Sequence, residues 1–124
     1  MSPELKHSLD DLNPTVQTIE QGEILFEEGT KPECLIFIEE GLVRLQKSNR
    51  SQETEFCLHR NFWGLREILS DASFPHTVIA EVTMSCWVIP REVILEKVKY
   101  DFSFRLQVMQ QIAKDIEHKN HSFE

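Results

Sequence analysis

The sequence predicts a mainly β domain, a small barrel or jelly roll, with one helix before it and two after it. Three observations carry that expectation. Between Val16 and Pro90 the apolar residues fall in short runs of strand length, with clear alternation at Val43/Leu45 and Val78/Ala80/Val82. Gly22, Gly29 and Gly41 punctuate those runs as turn positions suited to positive φ. Many short strands with regular turns favour a closed antiparallel architecture over a parallel α/β sheet. At both ends of the chain the apolar period lengthens to that of an α-helix.

In chain order, residues 3–12 carry helix-start chemistry. Ser2 can cap, Pro3 suits the first helical position, and Glu4 complements the helix dipole. Leu5, Leu9 and Leu12 share one face, and Asn13-Pro14 ends the helix. Strands are expected at 16–19, 23–26, 34–38, 42–46, 53–58, 76–82 and 84–89, with Ser48-Asn49-Arg50-Ser51 as a polar hairpin tip. A short helix over 65–69 interrupts them. Pro90-Arg91-Glu92 opens another helix reaching about residue 98, and Asp101 caps a longer one to roughly residue 118.

That last helix carries two apolar lines. Phe102, Leu106, Met109, Ala113 and Ile116 repeat at heptad spacing. Phe104, Val108 and Ile112 form a second line about 120° around the cylinder. One line suffices to pack the helix on its own domain. The other predicts a homodimer interface at Phe102, Leu106, Met109, Ala113 and Ile116, against the alternative of one wide buried stripe.

The 124 residues suit a single domain over 1–124, with strands at about 15–89 and C-terminal helices at about 91–118. The net charge of -8, from 13 basic and 21 acidic residues, argues against a nucleic-acid surface. Cys34, Cys57 and Cys86 are widely spaced in apolar runs, so they read as buried free thiols in a reducing compartment. The N-terminus lacks the apolar segment of a signal peptide, and no apolar stretch approaches the ~18 residues of a membrane span. The expected location is cytoplasmic, without membrane insertion.

Two segments set the domain's family likeness: Gly22-Glu23-Ile24-Leu25-Phe26-Glu27-Glu28-Gly29 and Cys34-Leu35-Ile36-Phe37-Ile38-Glu39-Glu40-Gly41-Leu42-Val43. Phe62-Trp63-Gly64 and Val88-Ile89-Pro90-Arg91-Glu92 follow in the same order. Over about residues 15–118 the chain resembles the cyclic-nucleotide-binding domain family, the sensory module of cAMP-receptor-type regulators, kinase regulatory subunits and gated channels. The resemblance implies a β-roll in a double-stranded jelly-roll (β-helix) arrangement, and cAMP or cGMP as candidate ligand. It also implies a phosphate cassette of the form Phe-Gly-Glu-Leu-Ala, a turn, then Pro-Arg-Ser/Thr-Ala. There a short helix aims N–H groups at the phosphate, the Arg neutralises it, and the Glu accepts from the ribose.

The chain departs from that cassette, and two registers are open. With Gly64 as anchor, Leu65 stands for the Glu, and neither Phe74 nor Pro75 can serve as the Arg. With Pro75 as anchor, Glu67 and His76 keep the family's separation of nine positions, Thr77 matches the hydroxyl residue, and Leu65-Arg66 is an insertion. The second register makes Gly64, Glu67, Ile68, Leu69, Pro75, His76 and Thr77 the candidate ligand site. Histidine lacks arginine's permanent charge and planar fork, a loss of about 2–5 kcal/mol against a buried phosphate. His76 equally fits a strand-edge position facing solvent. Arg66 fits a surface residue pairing with Glu67 or Asp71 better than a replacement cation. Phe62, Trp63 and Phe74 line the pocket or fill the core, and for Trp63 core is favoured.

The function expected is a non-enzymatic regulatory domain whose cyclic nucleotide binding is weak, altered or lost, with no cofactor. The alternative is a dimerisation or protein-interaction scaffold without a small-molecule ligand. The six residues Lys119–Glu124 leave no room for a helix-turn-helix, so the chain reads as a stand-alone sensor or as part of something larger. A cupin-like metal centre is disfavoured because His7, His59, His76, His118 and His121 include no HxH pair. No nucleophile motif such as GxSxG is present.

Overall fold

A computed structural model describes residues 3–47, 54–57 and 61–122. The leading helix α1 spans Pro3–Asp10, and Asn13 closes it at φ 54°. Eight strands follow: β1 (Thr15–Ile19), β2 (Ile24–Phe26), β3 (Cys34–Ile38), β4 (Val43–Gln46), β5 (Thr54–Cys57), β6 (Phe62–Trp63), β7 (Thr77–Ala80) and β8 (Met84–Pro90). Helix α2 (Leu65–Ser70) lies between β6 and β7, and α3 (Arg91–Tyr100) and α4 (Phe102–Ser122) end the chain. The proposed hairpin tip at 48–51 lies outside the described residues.

The strands form two antiparallel four-stranded sheets, ordered β1-β8-β3-β6 and β2-β7-β4-β5. Alternation sorts their side chains into two cores. Along β3, Ile36 and Ile38 turn into the roll, while Leu35 and Phe37 turn outward beneath the helices. β8 divides likewise: Met84 and Cys86 face in, Trp87 and Ile89 face out. β6 sends Trp63 inward and Phe62 outward. The first sheet is therefore apolar on both faces, and its outer face is the floor on which Leu5, Leu9, Ile94, Phe104 and Val108 pack.

The fold matches the mainly β jelly roll expected, with helices before and after. Three local expectations change. β6 has only two residues, too few for any period, and the sequence reading had no strand there. Gly22 and Gly29 do adopt positive φ, 90° and 84°, but Gly41 does not. Gly41 is a packing glycine instead: an added Cβ would meet Ile38 Cγ2 and Met84 Sδ, each at 2.9 Å. Helix α4 also runs beyond residue 118, to Ser122.

Asp101 caps α4 as expected, its Oδ1 accepting the Phe104 N–H at 3.1 Å. Its carboxylate also pairs with Lys97 at 2.8 Å, and Lys97 together with that N–H holds its pKa below the ordinary value. Arg105 then closes the preceding helix by donating from Nε to the Val98 carbonyl at 2.9 Å. The α3–α4 corner is thus set by polar contacts at each helix end.

Cys34 is half-buried, Cys86 is buried, and both thiols are free. Burial raises both pKa values, with Glu33 adding to the rise at Cys34 and Cys34 to that at Cys86. The thiol of Cys57 lies outside the described residues. No helix among the described residues is long and apolar enough to cross a membrane.

Candidate functional site

Gly64 anchors the candidate site. It caps α2 at φ 99°, ψ -17°, and an added Cβ would lie 2.8 Å from the Cys34 carbonyl oxygen. Glycine thus allows both the left-handed turn and the seating of α2 directly on the start of β3. The Ile68 N–H donates to the Gly64 carbonyl at 2.8 Å, closing the first helical turn. Leu65 and Ile68 enter the outer core, with Leu69 half-buried against it. Glu67 is buried at 7% exposure, an unusual position for a carboxylate.

The helix stops at Asp71, itself left-handed at φ 54°, ψ 44°. The N–H groups of Asp71 and Ala72 both donate to the Glu67 carbonyl. The chain then returns to the roll. Phe74 donates its N–H to the Thr30 carbonyl and accepts at its own carbonyl from the Gly29 N–H, each at 2.9 Å. These bonds fix the direction of its side chain. The ring points into the roll, 4% exposed and stacked on Phe26 at 4.3 Å between centroids. Trp63, 2% exposed, belongs to the same inner core, as expected for that residue.

Pro75 is exposed and His76 is half-buried immediately before β7. Thr77 opens β7, and its Oγ1 accepts the Glu28 N–H at 3.1 Å. Val78 faces the inner core, so alternation starts Thr77 on the opposite face. The candidate residues therefore occupy two adjoining pieces of chain, α2 with its glycine cap and the segment entering β7. Between them Phe74 fills part of the roll interior.

The charges differ from expectation in one respect. Asp71 pairs with Lys31 at 3.2 Å and with Arg91 at 2.8 Å, not with Arg66. Helix α2 directs its C-terminal end toward the turn before β3 and the start of α3, whereas Arg66 is exposed to solvent. Among the described residues no group of three or more His, Cys, Asp or Glu could hold a metal ion. The side chains of His59, His118 and His121 lie outside the described residues.

Helix α4 separates its two apolar lines completely. Phe104 and Val108 are 0% exposed and Ile112 packs beside them. The heptad line is left in solvent: Phe102 is 69% exposed, Leu106 46%, Met109 58% and Ile116 40%, and Ala113 is exposed as well.

The model of the family described as "Cyclic nucleotide-binding domain" matches residues 16–101. Among curated proteins none matches the sequence. Several solved structures share the fold. A bacterial protein of a cyclic-GMP-dependent signalling pathway that regulates phytopathogenesis superposes with TM-score 0.73 at 16% identity, covering 95% of each chain. A transcriptional regulator of Thermotoga maritima gives 0.70 at 20% identity, over 93% of this chain and 94% of that one. The catabolite activator protein of Thermus thermophilus gives 0.69 at 17% identity, over 98% of this chain but only 56% of the larger protein.

Proposed function

Because the chain belongs to the cyclic nucleotide-binding domain family, we propose that it works as a single non-enzymatic regulatory domain with weak, altered or lost cyclic nucleotide binding. Its state is passed on through a homodimer built on α4. The observation that carries this reading is the aromatic filling of the roll. Phe74, stacked on Phe26 and packed with Trp63, sits next to Pro75-His76-Thr77, where the family resemblance puts the ligand phosphate. A cyclic nucleotide entering there would lie beside that ring and meet a histidine in place of a permanent cation. Losing that charge-assisted contact alone weakens binding by about 2–5 kcal/mol, roughly 30- to several-thousand-fold.

Gly64, Glu67, Ile68, Leu69, Pro75, His76 and Thr77 form the remnant site. Glu67, buried on α2, is the residue for a ribose hydroxyl or another donor, and His76 and the segment beside it face the anionic end. The output side is the solvent-exposed line Phe102, Leu106, Met109, Ala113 and Ile116. Two copies of this line, packed knobs-into-holes, would cover side chains that one copy leaves in water. The free thiols of Cys34 and Cys86 suit a reducing, cytoplasmic setting.

A second reading is favoured by the same exposed line: a dimerisation or protein-interaction scaffold with no small-molecule ligand. The first reading, and the dimerisation form of the second, need the dimer. Sedimentation equilibrium tests it. Wild type should be dimeric at about 100 μM, and Leu106→Glu/Met109→Glu should be monomeric with an unchanged far-UV spectrum. A monomeric wild type at that concentration would sink the dimer in both readings and leave only a scaffold for a different protein.

A further inference from the structure

We propose that the free edge of β1 is a docking site for an extended segment of another protein, uncharged along its length and basic at both ends, which binds as an added strand. The inference uses neither the ligand site nor α4. β1 is an outer strand of the first sheet and pairs with β8 alone among the described residues. In an antiparallel edge strand every second residue turns its N–H and C=O away from the neighbouring strand. Among the described residues, those outward groups of residues 15–18 meet no partner, and all four residues are exposed.

Sheet edges are normally blunted by charge, proline, a bulge or shortness. The other three edges follow that rule: β6 has two residues, β2 has three with a register shift between Ile24 and Phe26, and β5 carries Glu55. β1 does not. Thr15–Ile19 pairs with residues 84–88 without a shift and contains neither a charged residue nor a proline. Its outer face also offers an apolar neighbour. Cross-strand register lines up Phe62, Phe37, Trp87 and Val16. The Phe37 ring centroid lies 5.0 Å from that of Phe62 and 5.3 Å from that of Trp87. Burial falls along the row: both phenylalanines are 1% exposed, Trp87 is half-buried and Val16 is 64% exposed. The row ends in solvent at the unpaired edge, where a β-branched side chain on an added strand would pair with Val16.

Charge selects the occupant. Asp10 and Asp11 precede β1, and Glu20 and Glu23 follow it. All four are exposed, and none has a cationic partner among the described residues. Lys6, whose ammonium lies 5.8 Å from the centre of the Trp87 ring, is paired with Glu39. A second copy of the chain would bring the same acids to the ends of its own β1, and like charges placed together oppose pairing. Lysine or arginine at both ends of the incoming segment is complementary.

Two fluorescent peptides test the edge, each of about six alternating valines and threonines, one ended by lysines and the other by glutamates. At low salt the lysine-ended peptide should bind the wild-type chain about tenfold or more tightly than the other. It should also slow hydrogen exchange at alternate amides of residues 15–19 and leave β4 unchanged. Val16→Ser should weaken its binding by about two- to five-fold, the range of one cross-strand pair. Asp11→Lys/Glu20→Lys should reverse the preference between the peptides. These three positions are exposed, so the variants should keep the wild-type far-UV spectrum. No saturable binding up to about 1 mM, equal binding of both peptides by wild type, or binding without added protection in β1 would each overturn the proposal. So would self-association of Leu106→Glu/Met109→Glu that Val16→Ser weakens, since a second copy would then hold the edge.

Discussion

Phe74→Ala is the substitution that most directly probes the filled roll. The ring is 4% exposed, lies 4.3 Å from that of Phe26 with the planes 18° apart, and shares its core with Trp63, Val78 and Ala80. Truncating a buried phenylalanine to alanine costs about 3–5 kcal/mol through lost transfer energy and the cavity left behind. The stacked contact with Phe26 contributes about 0.5–1.5 kcal/mol of that. The Phe74 backbone bonds to Thr30 and Gly29 survive the change, so local unravelling should add little. Against a typical total of about 5–15 kcal/mol, the variant should remain folded but lose a large part of its stability. Urea unfolding followed by tryptophan fluorescence measures it as a fall in midpoint at nearly constant slope. A loss below about 1.5 kcal/mol would mean the ring is not packed inside the roll, and the argument against a tight nucleotide site would fail with it.

Other consequences are accessible to equally simple measurements. Gly64→Ala should lose at least about 2 kcal/mol in the same titration, since left-handed backbone alone costs a non-glycine residue roughly 1–2 kcal/mol and the new Cβ meets the Cys34 carbonyl at 2.8 Å. A loss under about 0.5 kcal/mol would contradict the seating of α2 on β3. Native alkylation by iodoacetamide at pH 7.5, mapped by mass spectrometry, should be slow at Cys34 and Cys86, because burial keeps both thiols protonated. Labelling at the rate of a free peptide thiol would refute that burial. Asp101 has a depressed pKa in the fold, so its stabilisation is present above the unfolded value near 3.8 and is lost as pH falls through the lower folded value. Asp101→Asn should therefore show a shallower acid-induced loss of stability than wild type, and an identical pH profile would count against the cap.

Much of the fold could be read in the sequence because a few local rules agreed. Val43/Leu45 and Val78/Ala80 alternate in the sequence, and in the fold those residues face the inner core, but Val82, expected to continue the second series, lies beyond the end of β7 and is 41% exposed. The two lines on α4 followed from spacing alone, and Phe104 and Val108 proved to be the buried pair while Phe102 and Met109 stayed in water. The failures have physical causes. β6 is two residues long and has no period to detect; its pairing with Ile36 and Phe37 is a tertiary fact. Gly41 resembled a turn glycine because sequence cannot distinguish a positive φ from a lack of space for a Cβ. Asp71 lies twenty positions from Arg91, and surface ion pairs at such separations leave no sequence signature. In the candidate site, Pro75-His76-Thr77 could be named from the sequence, but the inward direction of Phe74 could not. An aromatic residue before a proline fits a core and a pocket equally well until its backbone bonds to Thr30 and Gly29 are known.

The proposal of weak or lost cyclic nucleotide binding, which rests on Phe74 packed inside the roll and on His76 standing where the family resemblance puts an arginine, can be checked by isothermal titration of the wild-type chain. The ligands are cAMP, cGMP and a cyclic dinucleotide, at pH 7 and up to millimolar concentration. A dissociation constant weaker than about 100 μM, or no saturable heat, is expected for each, consistent with the loss of a charge-assisted phosphate contact. A dissociation constant of about 1 μM or tighter for any of them would contradict it.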